Sequence, residues 1–248
     1  MIAASDFKRF KHEPMVMATA YDFPFAQVME EAGADVILVG DSLANVVLGL
    51  PSTREVGMEA MLLFVSAVAR GARRTHILAD MPYGSDTDPS KAVANGKRFL
   101  ASGAHSVKLE GAKLEVIAAL TSEGISVVGH LGLLPQTAKS FKQVGLAQAE
   151  RDEVLRSAEA LAKAGAIGMV LEHMDFALAA EVTRKVPVPT IGIGAGKGVD
   201  GQVLVMHDFL GLGAGSLPPF AKAFAGLRKE AVAGAKEYCR AVRERGFP

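Results

Sequence analysis

The chain has 248 residues, 50% of them hydrophobic, with 27 Lys+Arg balanced by 27 Asp+Glu. That length suits one large domain with a sizeable core. A zero net charge argues against nucleic acid or an anionic membrane as the main partner, because both select a basic surface.

A lone cysteine, Cys239, rules out an intramolecular disulfide or a cysteine-cluster metal site. The opening MIAASDFKRFKHEP lacks the apolar stretch of a secretory signal, and no run reaches the length of a membrane span. The expectation is a cytoplasmic protein with small-molecule partners, no nucleic acid and no membrane.

In chain order, eight β-type segments stand out: VMATAYD (16–22), DVILVGDS (35–42), HILADMPY (76–83), SVKLEG (106–111), SVVGHLG (126–132), GMVLEH (168–173), VPTIGIGAG (188–196) and VLVMHDFLG (203–211). Most are near-continuous apolar runs, as in strands buried on both faces of a parallel sheet. Helix-type patterns fall between most of them: PFAQVMEEAG, GMEAMLLFVSAVARGA, DPSKAVANGKRFLASGA, AKLEVIAALTSEG, AERDEVLRSAEALAKAGA and DFALAAEVTRKV. FAKAFAGLRKEAVAGAKEYCRAVRERG follows the last strand. "EAGAD", "ASGAH" and "KAGAI" repeat a helix end, a small-residue turn and a strand start. KGVDGQ, between the seventh and eighth segments, is too short for a helix. Regular alternation predicts an α/β fold, a (β/α)8 TIM barrel. The barrel spans residues 1–248 as a single domain, with a short N-terminal extension before about residue 15 and a C-terminal helix.

Such barrels work at the C-terminal ends of their strands. The second segment ends in Asp41-Ser42, the third carries Asp80, the fourth Lys108 and Glu110, the fifth His130, and the sixth Glu172-His173. Lys108 and Glu110 are two apart, so on a strand they share a face. An Asp after a strand is commonly a turn former, and each residue alone is weak evidence. Together they are a hard oxygen set that suits Mg²⁺ better than Zn²⁺. The alternative is an ion-pair network around Lys108 that closes the barrel top. IGIGAGKG (191–198) fits neither the dinucleotide nor the P-loop fingerprint, leaving phosphate binding or simple room for substrate. His76 and His105 fall at strand starts and read as structural. His207 is given no role.

TAYDFPFA, LVGDSLANVVLG, ILADMPY, VKLEG, VVGHLGLLPQ, VLEH, PTIGIGAG and DGQVLVMHDFLG occur in that order over residues 15–248. The chain thereby resembles the ketopantoate hydroxymethyltransferase family. The resemblance implies a decameric homo-oligomer of barrels in pantothenate and coenzyme A synthesis. It implies Mg²⁺-dependent hydroxymethyl transfer to the keto acid 3-methyl-2-oxobutanoate from the folate 5,10-methylenetetrahydrofolate. By motif, Asp41, Asp80 and Glu110 resemble the metal residues, with Asp41 and Asp80 also at the substrate. Ser42 and Lys108 resemble those holding the keto acid's carboxylate, Glu172 the general base, and His130 a pocket residue. The chain departs from the family pattern at Leu134 (usually Thr), at Phe64 (usually His), in the 141–150 segment and at PYGSD. Rival readings are another Mg²⁺–keto-acid barrel of the phosphoenolpyruvate mutase and isocitrate lyase group, or a catalytically silent keto-acid-binding barrel.

Overall fold

A computed structural model describes residues 2–138 and 140–248. It divides into two compact units, Met1–Val203 and Leu204–Pro248.

Eight parallel strands close into a barrel in sequential order: β1 (Met15–Thr19), β2 (Val36–Val39), β3 (His76–Asp80), β4 (Ser106–Lys108), β5 (Val127–Gly132), β6 (Gly168–Glu172), β7 (Thr190–Ile193) and β8 (Gly201–Leu204). Helices α1 (Phe23–Glu31), α2 (Leu43–Val46), α3 (Met58–Gly71), α4 (Pro89–Ala101), α5 (Leu114–Ser122), α6 (Gln148–Lys163) and α7 (Phe176–Lys185) connect the strands. No helix stands between β7 and β8, as the shortness of KGVDGQ requires. The fold class read from the sequence is therefore the observed one.

Local chemistry starts the helices where the sequence signals them. Asp22, Asp88 and Asp175 each accept a hydrogen bond from the backbone N–H three residues on, capping α1, α4 and α7. Pro follows the first two caps, where its missing N–H costs nothing. In the repeated EAGAD, ASGAH and KAGAI turns, Gly33, Gly103 and Gly165 have φ of 84°, 101° and 103°. Side-chain-bearing residues rarely take that conformation, so each glycine turns the chain from helix to strand.

Strand alternation sorts the side chains. Met15 and Met17, Val36 and Leu38, Leu78, Val128, Val170, Ile191 and Val203 form one buried cluster. Carried two residues further, the same alternation turns Asp80, His130 and Glu172 inward, and Ser106 leads likewise to Lys108 and Glu110. The barrel is apolar below and polar at its C-terminal mouth.

Three details differ from the sequence reading. The N-terminal extension forms a 3-10 helix (Ala4–Lys11) whose Phe7 and Phe10, 0% and 2% exposed, join the core cluster. Phe7 packs against His76 at the start of β3, with ring centroids 5.0 Å apart, so the segment lies at the N-terminal end of the barrel. The eighth strand ends at Leu204, and Met206–Phe209 within the expected strand forms a helical turn, α8. The last helix, α9 (Leu227–Arg243), begins later than the pattern at residue 220 suggested, because Phe224 and Leu227 donate their N–H groups to Phe209 and Leu210. Among the described residues no helix is long and apolar enough to cross a membrane.

Candidate active site

Asp41 lies beyond the end of β2 in the turn that opens α2, where Ala44 N–H bonds to its carbonyl at 2.9 Å. It is thus a turn residue, as one reading held, and its carboxylate also faces the barrel mouth. Its backbone N–H donates to Asp80 Oδ2 at 3.0 Å. Asp80 Oδ1 meets Lys108 Nζ at 3.0 Å in an ion pair with both side chains at most 7% exposed. Lys108 Nζ lies 3.3 Å from His130 Nδ1, and His130 Nε2 lies 3.3 Å from Glu172 Oε2. Glu110 Oε1 is 3.7 Å from His130 Nδ1. Asp41, Asp80, Lys108, Glu110, His130 and Glu172 are therefore brought together. Ser42 stands beside them, its hydroxyl 2.8 Å from that of Tyr21.

Proton positions follow from the partners. An ammonium can only donate, so Lys108 makes His130 Nδ1 the acceptor and leaves the proton on Nε2, toward Glu172. Burial, followed by the charge of Lys108, holds His130 below the ordinary histidine value, so it is neutral at pH 7. Burial alone would lower Lys108, but the charges of Asp80, Asp41 and Glu110 outweigh it and leave its pKa raised. Burial and the nearby Asp80 push Asp41 up to about 7. Burial pushes Glu110 up to about 8, against the pull of Lys108.

Glu172 is placed by a close backbone contact. Gly132, at the end of β5 with φ 97°, pairs with it, and Leu133 N–H bonds to Glu172 O at 2.8 Å. A Cβ on Gly132 would stand 2.1 Å from that same oxygen. Glu172, with its side chain 15% exposed, is thus fixed at the edge of a site whose other acids are nearly closed to water.

A family model for ketopantoate hydroxymethyltransferase matches residues 2–248. The chain belongs to the ketopantoate hydroxymethyltransferase family. A 3-methyl-2-oxobutanoate hydroxymethyltransferase of Ignicoccus hospitalis is 46% identical over 248 residues, covering 97% of this chain and 94% of that protein. Another, from Geobacillus thermodenitrificans, is 45% identical over 257 residues, covering 100% and 92%. Among solved structures, a phosphonopyruvate hydrolase complex with oxalate and Mg²⁺ superposes with a TM-score of 0.67 at 15% identity, covering 100% of this chain and 92% of that one. 2,3-Dimethylmalate lyase, a PEP mutase/isocitrate lyase superfamily member, gives 0.62 at 18% identity, covering 100% and 90%. At such identities these two bear on the fold alone.

In this ketopantoate hydroxymethyltransferase family member, a divalent metal would meet a partial donor set. Among the described residues no three His, Cys, Asp or Glu side chains form a ready cage. Mg²⁺, however, keeps much of its water and commonly takes only one or two protein carboxylates. Asp41 and Asp80 supply two, and Lys108 is the sole Lys or Arg among the buried charges of the described residues. Asp80 Oδ1 and His130 Nε2 are buried without an aligned hydrogen bond. At Gly40 a Cβ would stand 2.9 Å from Ser42 Oγ and 3.4 Å from Asp80 Oδ2, so the missing side chain lets the backbone pass close to both. Excess buried negative charge, with Asp80 Oδ1 as an acceptor facing the mouth, fits a hard cation.

Two participants escaped the sequence reading. Gln136, 4% exposed, donates Nε2–H to Asp41 Oδ2 at 2.7 Å. Tyr21 is fully buried against Ser42, and burial raises its pKa, keeping the phenol protonated. Both lie in quoted motifs, LPQ and TAYD, but a neutral side chain after a strand carries no charge signal to single it out. Of the departures from the family pattern, Leu134 and Phe64 are half-buried, and Phe141 stacks on the His173 ring at 4.4 Å.

Proposed function

We propose that this chain transfers a hydroxymethyl group from 5,10-methylenetetrahydrofolate to 3-methyl-2-oxobutanoate, giving 2-dehydropantoate for pantothenate synthesis. The observation that carries this reading is Glu172 at the open edge of the buried Asp41–Asp80–Lys108 cluster, 3.3 Å from a neutral His130. Asp41 and Asp80 would hold Mg²⁺, with Glu110 beside it. Bound there, Mg²⁺ supplies Lewis-acid stabilisation of negative charge developing on an α-keto acid.

The remaining chemistry falls to the protein. Lys108 offers a compact positive charge, and Ser42 a hydroxyl, to the substrate carboxylate. His130 presents Nε2 to Glu172 Oε2 at 3.3 Å, beside the mouth. Glu172 removes the proton from C3, and the resulting enolate carbon bonds to the one-carbon unit carried by the folate. Both bonds from that one-carbon unit to the folate nitrogens break, the new C–C bond replacing one and the hydroxyl of water the other. The protons from C3 and from water go to the nitrogens, and tetrahydrofolate leaves. The family resemblance further points to a homo-oligomer, which the exposed Val232, Tyr238 and Val242 of α9 support.

Steady-state formation of 2-dehydropantoate tests the assignment. Glu172→Gln keeps the side chain's size and removes its basicity, so kcat falls by roughly 10²- to 10⁴-fold, the usual worth of a general base. An unchanged kcat rules Glu172 out of that role.

A further inference from the structure

Gln136 belongs to the segment after β5, yet it is bonded to residues of four other places on the rim. Its side-chain amide donates to Asp41 Oδ2 at 2.7 Å, in the turn after β2. The same Nε2 donates to Met81 O at 3.1 Å, just past β3. Its backbone N–H donates to Glu110 Oε2 at 3.1 Å, past β4. Its carbonyl accepts from Arg54 Nε at 2.5 Å, beyond α2.

The amide has two N–H bonds and both are committed, which fixes its orientation without appeal to side-chain packing. Asp41 Oδ2 is thereby held, which fixes the orientation of the whole carboxylate. Glu110, the other acid with a proposed metal role, is oriented by the same residue. Surface bonds of this kind would compete with water, but at 4% exposure this one is shielded.

We propose that Gln136 is a positioning residue that sets Asp41 and Glu110 in the geometry needed to bind the divalent cation and the keto acid. This rests on the assignment of Asp41 to the metal in the function proposed above. Partners that orient a ligand commonly matter 10- to 100-fold in metal affinity or activity.

The test is Gln136→Met, which keeps the length and loses both donors. Mg²⁺ affinity is measured by calorimetry on the free protein, and KM for 3-methyl-2-oxobutanoate beside it. The proposal expects Mg²⁺ to bind about 10- to 100-fold more weakly and KM to rise, with native circular dichroism retained. Wild-type Mg²⁺ affinity and KM in this variant overturn it. If Gln136→Met does not fold, Arg54→Ala decides instead. It removes the bond to the Gln136 carbonyl, together with the guanidinium's contact with the Tyr83 ring, and is expected to weaken Mg²⁺ binding severalfold; an unchanged affinity overturns the proposal. Failure of the functional reading looks different: the wild-type protein itself would then bind no Mg²⁺ and form no product.

Discussion

At the scale of single residues, the candidate site gathers several acids around the buried ammonium of Lys108. Asp80 touches both sides of that arrangement, accepting from Asp41 N–H and facing Lys108. Asp80→Asn retains an acceptor for Asp41 and removes the charge, so the barrel is expected to fold while Mg²⁺-dependent binding of the keto acid is lost. Calorimetry with metal and keto acid checks this, and an unaltered Mg²⁺ dependence shows the ligand assignment to be wrong. His76, at the opposite end of the barrel, illustrates a purely structural histidine. Its Nδ1 bonds to Ile2 O at 3.0 Å and its Nε2 to Ser106 Oγ at 2.7 Å. A carbonyl only accepts, so Nδ1 carries the proton and Nε2 accepts from the serine. Burial lowers the pKa of His76 to about 4 from an ordinary 6.5. A depressed value means the folded state resists protonation. The associated stability is complete above about pH 6.5 and is lost as pH falls through 4, up to about 3 kcal/mol. Urea unfolding at pH 7 and pH 4.5 should show a smaller acid loss in His76→Gln than in wild type; equal losses would count against the account. The clustering of the charged residues of the candidate site was legible because strand ends in sequence marked them. Gln136 and Tyr21 were not, since their role appears only when distant loops meet.

At the scale of elements, the strands carry the core and the site on one inward face, so each strand end is tied to the packing beneath it. β5 and β6 show this most directly through Gly132 and the Glu172 carbonyl. Gly132→Ala sets a methyl group against that oxygen at a backbone conformation with positive φ. The expected result is a destabilisation of about 1–3 kcal/mol and a fall in kcat as Glu172 shifts. Urea titration and turnover measured on the same preparation test it, and a variant with unaltered kcat would separate Glu172 from this contact. The N-terminal 3-10 helix is the second case. Its sequence, ASDFKRFK, is too polar to advertise a core element, yet two phenylalanines three apart reach the same side. Phe7→Ala is expected to cost about 3–5 kcal/mol in a urea titration, as for other fully buried aromatics. A loss under 1 kcal/mol would mean that the segment only rests on the barrel. α8 differs from the sequence expectation for a related reason: VLVMHDF is apolar enough for a strand, yet the strand ends at Leu204 and Met206–Phe209 turns helical.

At the scale of the whole molecule, the order and number of strands followed from regular alternation of apolar runs and helical patterns, because a parallel barrel writes that alternation along its whole length. Element edges and the plugging of the barrel floor depend on contacts between segments far apart in sequence, and these left weaker traces. The fold is shared with enzymes only 15–18% identical, so the barrel itself does not select the reaction. On the proposed function the selection falls to the mouth: four acids, one lysine and a neutral histidine, with Gln136 joining the loops around them. On that same proposal, this mouth removes the C3 proton of a keto acid with Glu172 as base. Deuterium exchange at C3 of 3-methyl-2-oxobutanoate, followed by NMR without folate, tests that claim most directly. The account predicts exchange in the wild-type protein that requires a divalent cation and disappears in Glu172→Gln; no exchange in wild type, or exchange that persists in Glu172→Gln, would contradict it.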